Sequence, residues 1–194
     1  MIANIIWVVI SYFIGNVSSA ILIGKVTAGI DIRDHGSGNA GTTNVLRTLG
    51  KKAAAATLVC DVLKGVIAVL IGRFFGNETL AMICGLAAIL GHIWPALFGF
   101  RGGKGIATGI GVIFATVPIP AFVCLGIGVV LIVITRFVSL GSICGAVLLP
   151  IVIYFYNETY FIWALCMAVI VIYTHRSNIK RLLNGNESKI SFNK

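Results

Sequence analysis

Long apolar runs alternate with short polar segments along the whole chain. There are seven such runs. Several are close to the roughly 20 residues that an upright membrane helix needs, and the others are shorter. They cover residues 4–24, 53–72, 80–98, 105–117, 121–134, 140–156 and 160–175. The fourth run has only about 13 residues, so it needs a thinner bilayer or shielding by neighbouring helices. The pattern predicts an all-α integral membrane protein with seven transmembrane helices, some of them short.

Composition supports a membrane location. Hydrophobic residues make up 58% of the chain and charged residues 11%, against roughly 45–50% and 25% in soluble proteins. The chain of 194 residues has no linker, low-complexity tract or internal repeat, so we expect one domain covering residues 1–194. The opening "MIANIIWVVI" lacks the basic start of a secretory signal, so we expect the first helix to be retained. Five scattered cysteines predict neither a disulfide nor a metal site.

Basic residues are concentrated in alternate connections between the apolar runs. They are Lys25, Arg33, Arg47, Lys51, Lys52, Arg101, Lys104, Arg136, Arg176, Lys180, Arg181, Lys189 and Lys194. The other connections hold Arg73 with Glu78, the turn "PIP", and Glu158. Because cytoplasmic loops are enriched in Lys and Arg, we predict that the N-terminus lies outside and the C-terminus in the cytoplasm.

The first cytoplasmic connection contains "SGNAGTTNVLR", residues 37–47. Glycines at 38 and 41 permit a positive φ, so successive backbone N–H groups could face one concavity, with side-chain donors from Ser37, Asn39, Thr42, Thr43 and Asn44. Such a set of donors suits a phosphate group, and Arg47 could bind further anionic oxygens. A flexible polar loop with a helix cap, and a basic residue serving only topology, would explain the same pattern.

The second cytoplasmic connection contains "GHIWPALFGFRGGKG", residues 91–105. Gly102, Gly103 and Gly105 surround Lys104, so a cation lies on a backbone that can closely approach an anion. The segment is not a nucleotide-binding P-loop, because Phe98 replaces its first glycine and Gly105 its Ser or Thr. A helix starting at Gly105 would point its positive end at the same anion. His92 fits a structural hydrogen bond and a site role equally well.

The third polar segment is "HRSNIKRL", residues 175–182. In a continued helix, His175 and Asn178 share one face, and His175 could act as a base, an orienting group or a phosphate ligand. Lys180 and Arg181 are typical of a lipid-headgroup anchor. Ser142, one turn after Ser139, could face the site.

Two charged residues lie inside the second apolar run. Asp61 and Lys64 are three residues apart, and intramembrane charges suggest function. We favour an ion pair that joins helices. His35, in an aqueous loop, is expected to have no role.

Residues alone leave several functions open. A transporter of an anionic metabolite also uses helix ends, glycines and cations, although the polar residues gather on one face. A structural lipid-binding subunit would explain the basic end but not the glycine loops. A soluble-type acyltransferase is disfavoured, because no Asp follows five positions after His35, His92 or His175. No nucleic-acid-binding motif is present.

Together, the three segments resemble the signature motifs of the bacterial acyl-phosphate:glycerol-3-phosphate acyltransferases. "GSGNAGTTNVLR", "GHIWPALFGFRGGKG" and "HRSNIKRLL" occur in the family's order along the whole chain. The resemblance implies a seven-helix fold in the bacterial cell membrane with its motifs on the cytoplasmic side. It also implies that the 1-hydroxyl of glycerol 3-phosphate attacks a fatty acyl phosphate, giving lysophosphatidic acid and inorganic phosphate.

The resemblance also implies residue roles. Ser37 and the glycine-rich backbone after it would hold the acyl-phosphate headgroup, while Arg47, Lys104, Ser142, His175 and Asn178 would bind or orient glycerol 3-phosphate. His92 and Asn39 would support the site. We therefore predict Arg47, Lys104, His175 and Asn178 as catalytic, and as substrate-binding Ser37, Gly38, Asn39, Gly41, Thr42, Asn44, His92, Gly102, Gly103 and Ser142.

The chemistry implied by the resemblance leaves the proton acceptor open. His175 or a phosphate oxygen of either substrate could take the proton of the attacking hydroxyl. Direct transfer is favoured over an acyl-enzyme on Ser37, because no base stands at a defined spacing from that serine. We expect no metal or cofactor. The expected partners are both substrates, bilayer lipids and the peripheral enzyme that supplies acyl phosphate.

Overall fold

The structure, a computed structural model, describes residues 2–191, so the predicted cytoplasmic Lys194 lies outside the described residues. Residues 2–191 form ten α-helices, three short 3-10 turns and no β-strand. The helices are α1 (Ile2–Asn16), α2 (Ser19–Ala28), α3 (Thr42–Leu49), α4 (Lys51–Phe75), α5 (Glu78–Ile93), α6 (Ile106–Thr116), α7 (Pro118–Thr135), α8 (Val138–Tyr156), α9 (Phe161–Thr174) and α10 (Arg176–Leu183). The prediction of an all-helical chain is confirmed for these residues.

Helices occur at all seven apolar runs, but they differ in their capacity to span a bilayer. Five described segments are long and apolar enough: Ile2–Ala28, Lys51–Phe75, Glu78–Phe98, Pro118–Thr135 and Val138–Tyr156. A sixth results if Glu158–Thr174 and Arg176–Leu183, bent by 61°, count as one span. The fourth run forms only α6, of 11 residues. The count of seven spans and the orientation of the termini therefore stay predictions.

The chain divides into two compact units, Met1–Thr116 and Val117–Lys194. The first holds α1 to α6 and the second holds α7 to α10. The expectation of a single domain stays a prediction, and each unit is described by itself.

Both units expose large apolar side chains. Ile5, Val9 and Leu63 in the first unit and Val133 and Phe155 in the second are more than a third exposed. Water would penalise such surfaces, whereas hydrocarbon does not. Their exposure agrees with helices that face lipid.

Glycines allow the helices of the first unit to pack with their backbones in contact. A Cβ atom on Gly15 of α1 would meet the Ala88 carbonyl of α5, and one on Gly91 of α5 would meet the Tyr12 carbonyl of α1. The contact of α4 with α6 is likewise reciprocal, since Cβ atoms on Gly65 and Gly111 would meet carbonyls of the other helix. Small residues that admit close backbone approach are typical of membrane helix pairs.

The apolar run 4–24 predicted one continuous helix, but the structure has two, α1 and α2. It breaks after Asn16, whose buried side chain donates to the Tyr12 carbonyl (2.8 Å) and accepts from the Leu97 N–H (3.2 Å). The Tyr12 hydroxyl donates to the Trp94 carbonyl at 2.8 Å. These bonds tie the break to the end of α5, so the break is held in place by specific partners and leaves the Val17 carbonyl available to others.

The second unit is closed by a C-terminal strap, which we define as residues 185–190. Glu187 accepts hydrogen bonds from Ser139 (2.8 Å), Asn178 (2.7 Å) and Arg181 (2.7 Å). The Ile190 N–H donates to the Arg136 carbonyl at 2.8 Å. The strap thereby joins α8 to α10.

The carboxyl of Glu187 titrates below its ordinary range. Burial raises its pKa, but the hydrogen bonds from Asn178, Ser139 and Arg181 outweigh burial, so the pKa lies below the ordinary value of 4.5. A carboxyl with a lowered pKa in the folded state stabilises that state above its ordinary pKa, and the contribution disappears as the pH falls through the folded pKa.

We expect Glu187→Gln to lower the stability of the folded protein at pH 7 by about 1–3 kcal/mol, because charge-assisted hydrogen bonds to a buried carboxylate are lost. The difference from the unsubstituted protein should shrink as the pH falls below 4.5. Thermal unfolding midpoints in detergent at a series of pH values measure both effects. Glu158→Gln, at an exposed position, is the control, and a pH-independent difference would contradict the assignment.

Candidate active site

Asn44 organises the first glycine-rich loop. It is 2% exposed in the first turn of α3. Its Oδ1 accepts from the Ser37 N–H (2.8 Å), and its Nδ2 donates to the carbonyls of Ile32 (3.0 Å) and His35 (2.9 Å). Both amide hydrogens therefore hold backbone in place. In this structure Asn44 shapes the loop, and its binding of substrate stays a prediction.

The loop glycines differ in why they are needed. Gly36 and Gly38 have φ of +60° and +72°, which favours glycine, as predicted for Gly38. The same expectation for Gly41 is wrong, because its φ is −145°. A Cβ atom on Gly41 would meet only the Asn39 Oδ1, at 2.9 Å, so a small side chain there needs just a shift of the Asn39 amide.

The loop ends at the positive end of α3. Gly41 precedes this helix and, among the described residues, no side chain caps it there. The first N–H groups of any helix lack an intrahelical acceptor. The Thr42 hydroxyl is buried and has no hydrogen-bond partner within residues 2–191. Arg47 lies exposed in the last turn of α3, and partly buried Thr43 and Asn39 flank the helix start. The segment suits an incoming anion.

The second glycine-rich loop runs back along the end of α5. Gly102 N–H donates to the Ile93 carbonyl and Gly103 N–H to the His92 carbonyl, both at 3.1 Å. A Cβ atom on Gly102 would meet the His92 carbonyl, and one on Gly103 would meet the His92 Nε2. Both positions require glycine, and the loop places the partly buried Lys104 two residues before the start of α6.

The two glycine-rich loops lie against each other. A Cβ atom on Gly103 would be 2.9 Å from the Ala40 carbonyl oxygen of the first loop. The segment 37–44 and the segment 102–104, which are far apart in sequence, are therefore neighbours in the first unit. Predicted phosphate-binding residues of both loops come together as the sequence suggested.

Arg33 holds this arrangement, although the sequence indicated only a cytoplasmic charge. Its Nη1 donates to the Phe98 carbonyl at 2.7 Å, which ties the first loop to the second. Asp31 fixes the guanidinium with an Nη2–Oδ2 distance of 2.8 Å. The hydrogen bond from Arg33 lowers the pKa of Asp31 to about 2, despite the opposing effect of burial. The spacing of Asp31 and Arg33 in "DIR" could have indicated their ion pair, but it does not identify the Phe98 carbonyl as a partner.

Asp61 and Lys64 form the predicted ion pair, with 2.8 Å between Oδ1 and Nζ. Ser19 of α2 donates to the same carboxylate oxygen at 3.0 Å. Lys64 Nζ also lies 2.7 Å from His92 Nδ1 on α5. The pair therefore joins three helices, as expected, and it supports His92.

The second unit holds the remaining predicted residues. The Ser142 hydroxyl donates to the Val138 carbonyl of its own helix at 2.9 Å, and Asn178 Nδ2 donates to Glu187. His175 lies at the junction of α9 and α10. The expected continuous helix is wrong, because the chain bends by 61° there. Glu187, which holds Asn178, was missed because it follows the motif across a turn.

The contact of the His175 imidazole with the backbone indicates its tautomer. Its Nδ1 lies 2.9 Å from the Val171 carbonyl oxygen. A carbonyl can only accept, so Nδ1 carries the hydrogen, and Nε2 holds the lone pair of the neutral ring. In this tautomer, Nε2 is the ring nitrogen that would accept a proton.

Metal chemistry was not expected from the sequence. Within residues 2–191, no group of three or more His, Cys, Asp or Glu side chains could hold a metal ion. Independence from metal stays a prediction.

Comparisons with known proteins agree with this arrangement. Residues 5–185 match the profile of the family described as glycerol-3-phosphate acyltransferase. The glycerol-3-phosphate acyltransferase of Alkaliphilus metalliredigens is 49% identical over 187 residues, covering 96% of each chain.

Two solved structures of PlsY (YgiH), an integral membrane glycerol 3-phosphate acyltransferase, are also similar. Its glycerol 3-phosphate form superimposes with a TM-score of 0.91 at 36% identity, covering 97% of this chain and 96% of that chain. Its lysophosphatidic acid form gives 0.89 at 35% identity with the same coverage. Together with the apolar helices and the paired glycine-rich loops, these matches show that the chain is a membrane-embedded acyltransferase enzyme and belongs to the glycerol-3-phosphate acyltransferase family.

Proposed function

We propose that the protein transfers a fatty acyl group from acyl phosphate to the 1-hydroxyl of sn-glycerol 3-phosphate. The products are 1-acylglycerol 3-phosphate, which is lysophosphatidic acid, and inorganic phosphate. This reaction is the first acylation of phospholipid biosynthesis. The relative PlsY, whose solved forms are named for glycerol 3-phosphate and lysophosphatidic acid, supports the acceptor and the product.

The contact of the two glycine-rich loops carries the proposal. Ala40 adjoins Gly103, so the start of α3 and the segment leading to Lys104 can bind one or two phosphoryl groups with backbone N–H groups and a cation. Both proposed substrates are anionic and would repel each other without such a set of fixed donors. An acyl phosphate needs little further activation, because phosphate is a good leaving group.

The reaction balances without a cofactor. The acceptor oxygen forms a bond to the acyl carbonyl carbon, and the bond between that carbon and the phosphate oxygen breaks. The hydroxyl proton passes to a base, and phosphate leaves with the electron pair of the broken bond. Ser37, Gly38, Gly41 and Thr42 would hold the donor phosphate.

His175 is our choice for the base among the side chains, because its Nε2 carries the lone pair. The resemblance assigns Arg47, Lys104, Ser142 and Asn178 to binding or orienting glycerol 3-phosphate. A phosphate oxygen of a substrate is the alternative proton acceptor, and in that case His175→Asn should raise KM for glycerol 3-phosphate more than it lowers kcat.

The proposed setting is the cytoplasmic face of the bacterial cell membrane. A soluble acceptor can reach this face, while the acyl chain lies among apolar helices. Bilayer lipids and a peripheral enzyme that supplies acyl phosphate are the proposed partners.

Single-cysteine labelling tests the proposed orientation. In a cysteine-free background, Ser37→Cys and Ser177→Cys should react with a membrane-impermeant thiol reagent only after the cells are opened. Asn77→Cys and Asn157→Cys should react in intact cells. All four positions are exposed, so access should depend on the side of the membrane. Labelling of position 37 in intact cells would contradict the orientation.

Product analysis with purified protein tests the donor. Labelled glycerol 3-phosphate and palmitoyl phosphate should give 1-acylglycerol 3-phosphate without added metal, and a chelator should not stop the reaction. Palmitoyl-CoA should give hardly any product, because the short glycine-rich loops suit one or two phosphoryl groups and the sequence indicates no further basic loop for an adenine nucleotide. Comparable rates with palmitoyl-CoA would refute the donor, and inhibition by chelator would refute independence from metal.

Substitution of Lys104 tests the anion site. An interaction with a charged group is worth about 1.5–3 kcal/mol, on the order of ten- to a hundredfold in rate or affinity. Lys104→Ala should therefore lower kcat/KM by at least about ten- to a hundredfold, while the yield of folded protein stays near normal. Lys52→Ala, at an exposed position on the same predicted side, should keep full activity. Equal activities of the two variants would show that Lys104 serves topology only.

A further inference from the structure

The buried ion pair of the first unit takes no part in the proposed chemistry. Asp61 and Lys64 are 1% and 5% exposed. Removing two charges from water is costly, and a hydrophobic pair of similar volume would often be as stable. Ionisable residues inside a membrane protein are therefore candidates for function. The contacts of this pair identify the side chain on which it acts.

The Lys64 ammonium has three acceptors from three segments of the chain. They are Asp61 Oδ1 at 2.8 Å, the Val17 carbonyl at 3.1 Å and His92 Nδ1 at 2.7 Å. An ammonium has three N–H donors and no lone pair. Each hydrogen of the charged ammonium thus has one acceptor, and His92 accepts through Nδ1. Asp61 Oδ1 lies 3.6 Å from the same ring nitrogen, which is too far for Nδ1 to donate to it.

This contact determines where His92 carries its hydrogen. A doubly protonated ring would place an N–H against the ammonium at 2.7 Å, so the ring is neutral. Because Nδ1 accepts, the hydrogen lies on Nε2. The arrangement is the reverse of that in His175, where Nδ1 carries the hydrogen.

The Nε2 edge of His92 faces the second glycine-rich loop. A Cβ atom on Gly103 would meet Nε2 and would lie 2.7 Å from Cε1. The Gly103 N–H also donates to the His92 carbonyl, which fixes the loop relative to the ring. The ring therefore presents an N–H group at the backbone that leads into Lys104.

We propose that Asp61 and Lys64 are positioning residues, which hold His92 as the Nε2–H tautomer so that this N–H donates to a phosphoryl oxygen bound at residues 102–104. The inference rests on the proposed function, in which these residues bind phosphate. No proton is transferred, since the imidazole only donates a hydrogen bond. Metal-bound histidines are similarly fixed in one tautomer by a hydrogen-bond partner at the ring nitrogen that faces away from the metal.

The alternative is that the pair only cross-links helices. Replacing it with uncharged residues would then alter thermal stability but neither the tautomer of His92 nor the kinetics. Asp61→Asn with Lys64→Met removes both charges together and leaves no unpaired ion. The amide introduced at position 61 still offers an acceptor to the Ser19 hydroxyl. Lys64→Met alone removes the donor to His92 Nδ1 and leaves Asp61 bonded to the Ser19 hydroxyl, so it is the second variant if the double variant does not fold.

Nitrogen-15 NMR of histidine-labelled protein in detergent reads the tautomer directly. The chain has three histidines, and the signals of His92 are those lost in His92→Gln. We expect the Nε2–H form in the unsubstituted protein, and a mixture of tautomers, or mainly Nδ1–H, in the double variant. An Nδ1–H ring in the unsubstituted protein, or an unchanged tautomer in the variants, would overturn the proposal. This measurement does not depend on enzymatic activity.

Steady-state kinetics test whether the Nε2–H contacts a phosphoryl group. His92→Asn keeps an acceptor near Lys64 but lacks the distal donor. We expect it, and the double variant, to raise KM at least about tenfold for one phosphate substrate, with a smaller change in kcat. Separate KM values for palmitoyl phosphate and glycerol 3-phosphate identify which phosphate is bound. Unchanged KM values for both substrates in folded protein would refute the contact.

Controls separate this proposal from general damage and from the proposed function. Arg73→Met with Glu78→Gln removes an exposed ion pair, 2.8 Å long, and should leave both KM values unchanged. Combining His92→Asn with the double variant should raise KM no further than His92→Asn alone, because the pair acts through His92. Additive effects would show that it acts independently. If the unsubstituted protein makes no product, the proposed function is refuted, but the tautomer measurement still tests whether Asp61 and Lys64 position His92.

Discussion

The ammonium of Lys64 is the interaction on which the first unit depends. It joins the break after α1, the middle of α4 and the end of α5 through three hydrogen bonds. In a membrane-embedded protein, a buried cation without such acceptors would cost several kcal/mol. The break after α1 frees the Val17 carbonyl from helix hydrogen bonding, and this carbonyl is one of the three acceptors. The end of α5, from which the second glycine-rich loop returns, is held at the same point.

Close packing against the end of α5 determines the path of the second glycine-rich loop. Gly102 and Gly103 lie directly on His92, and Gly103 also touches the carbonyl of Ala40. No side chain fits at either position, so the backbone itself forms the contact between the loops. Arg33 adds a hydrogen bond to the Phe98 carbonyl, and Asn44 holds the first loop through three bonds. Preorganised donors of this kind are effective because they need not reorient when an anion arrives.

The contacts of the two buried histidines favour opposite tautomers, and the difference follows from their partners. His92 faces an ammonium and must accept through Nδ1, whereas His175 faces a carbonyl and must donate through Nδ1. One ring can then donate through Nε2 and the other can accept through Nε2. The same residue type thus suits binding in the first unit and proton transfer in the second. Glu187 similarly gives Asn178 a fixed orientation through its strap.

The amino-acid sequence alone predicted the helical class and the positions of the apolar segments, and it suggested anion binding at the two glycine-rich loops, which stays a prediction. These features depend on local composition and spacing, which a single segment contains. It also indicated the ion pair of Asp61 and Lys64, because their separation of three residues lies within one helix turn. It did not predict the break after Asn16, the bend at His175 or the extended φ of Gly41, since each depends on partners distant in sequence. Only the folded structure shows the roles of Arg33 and Glu187, the contact of Ala40 with Gly103 and the partners of both histidines. A hydrogen bond forms where folding brings a donor and an acceptor within about 3 Å, and the local sequence does not contain that information.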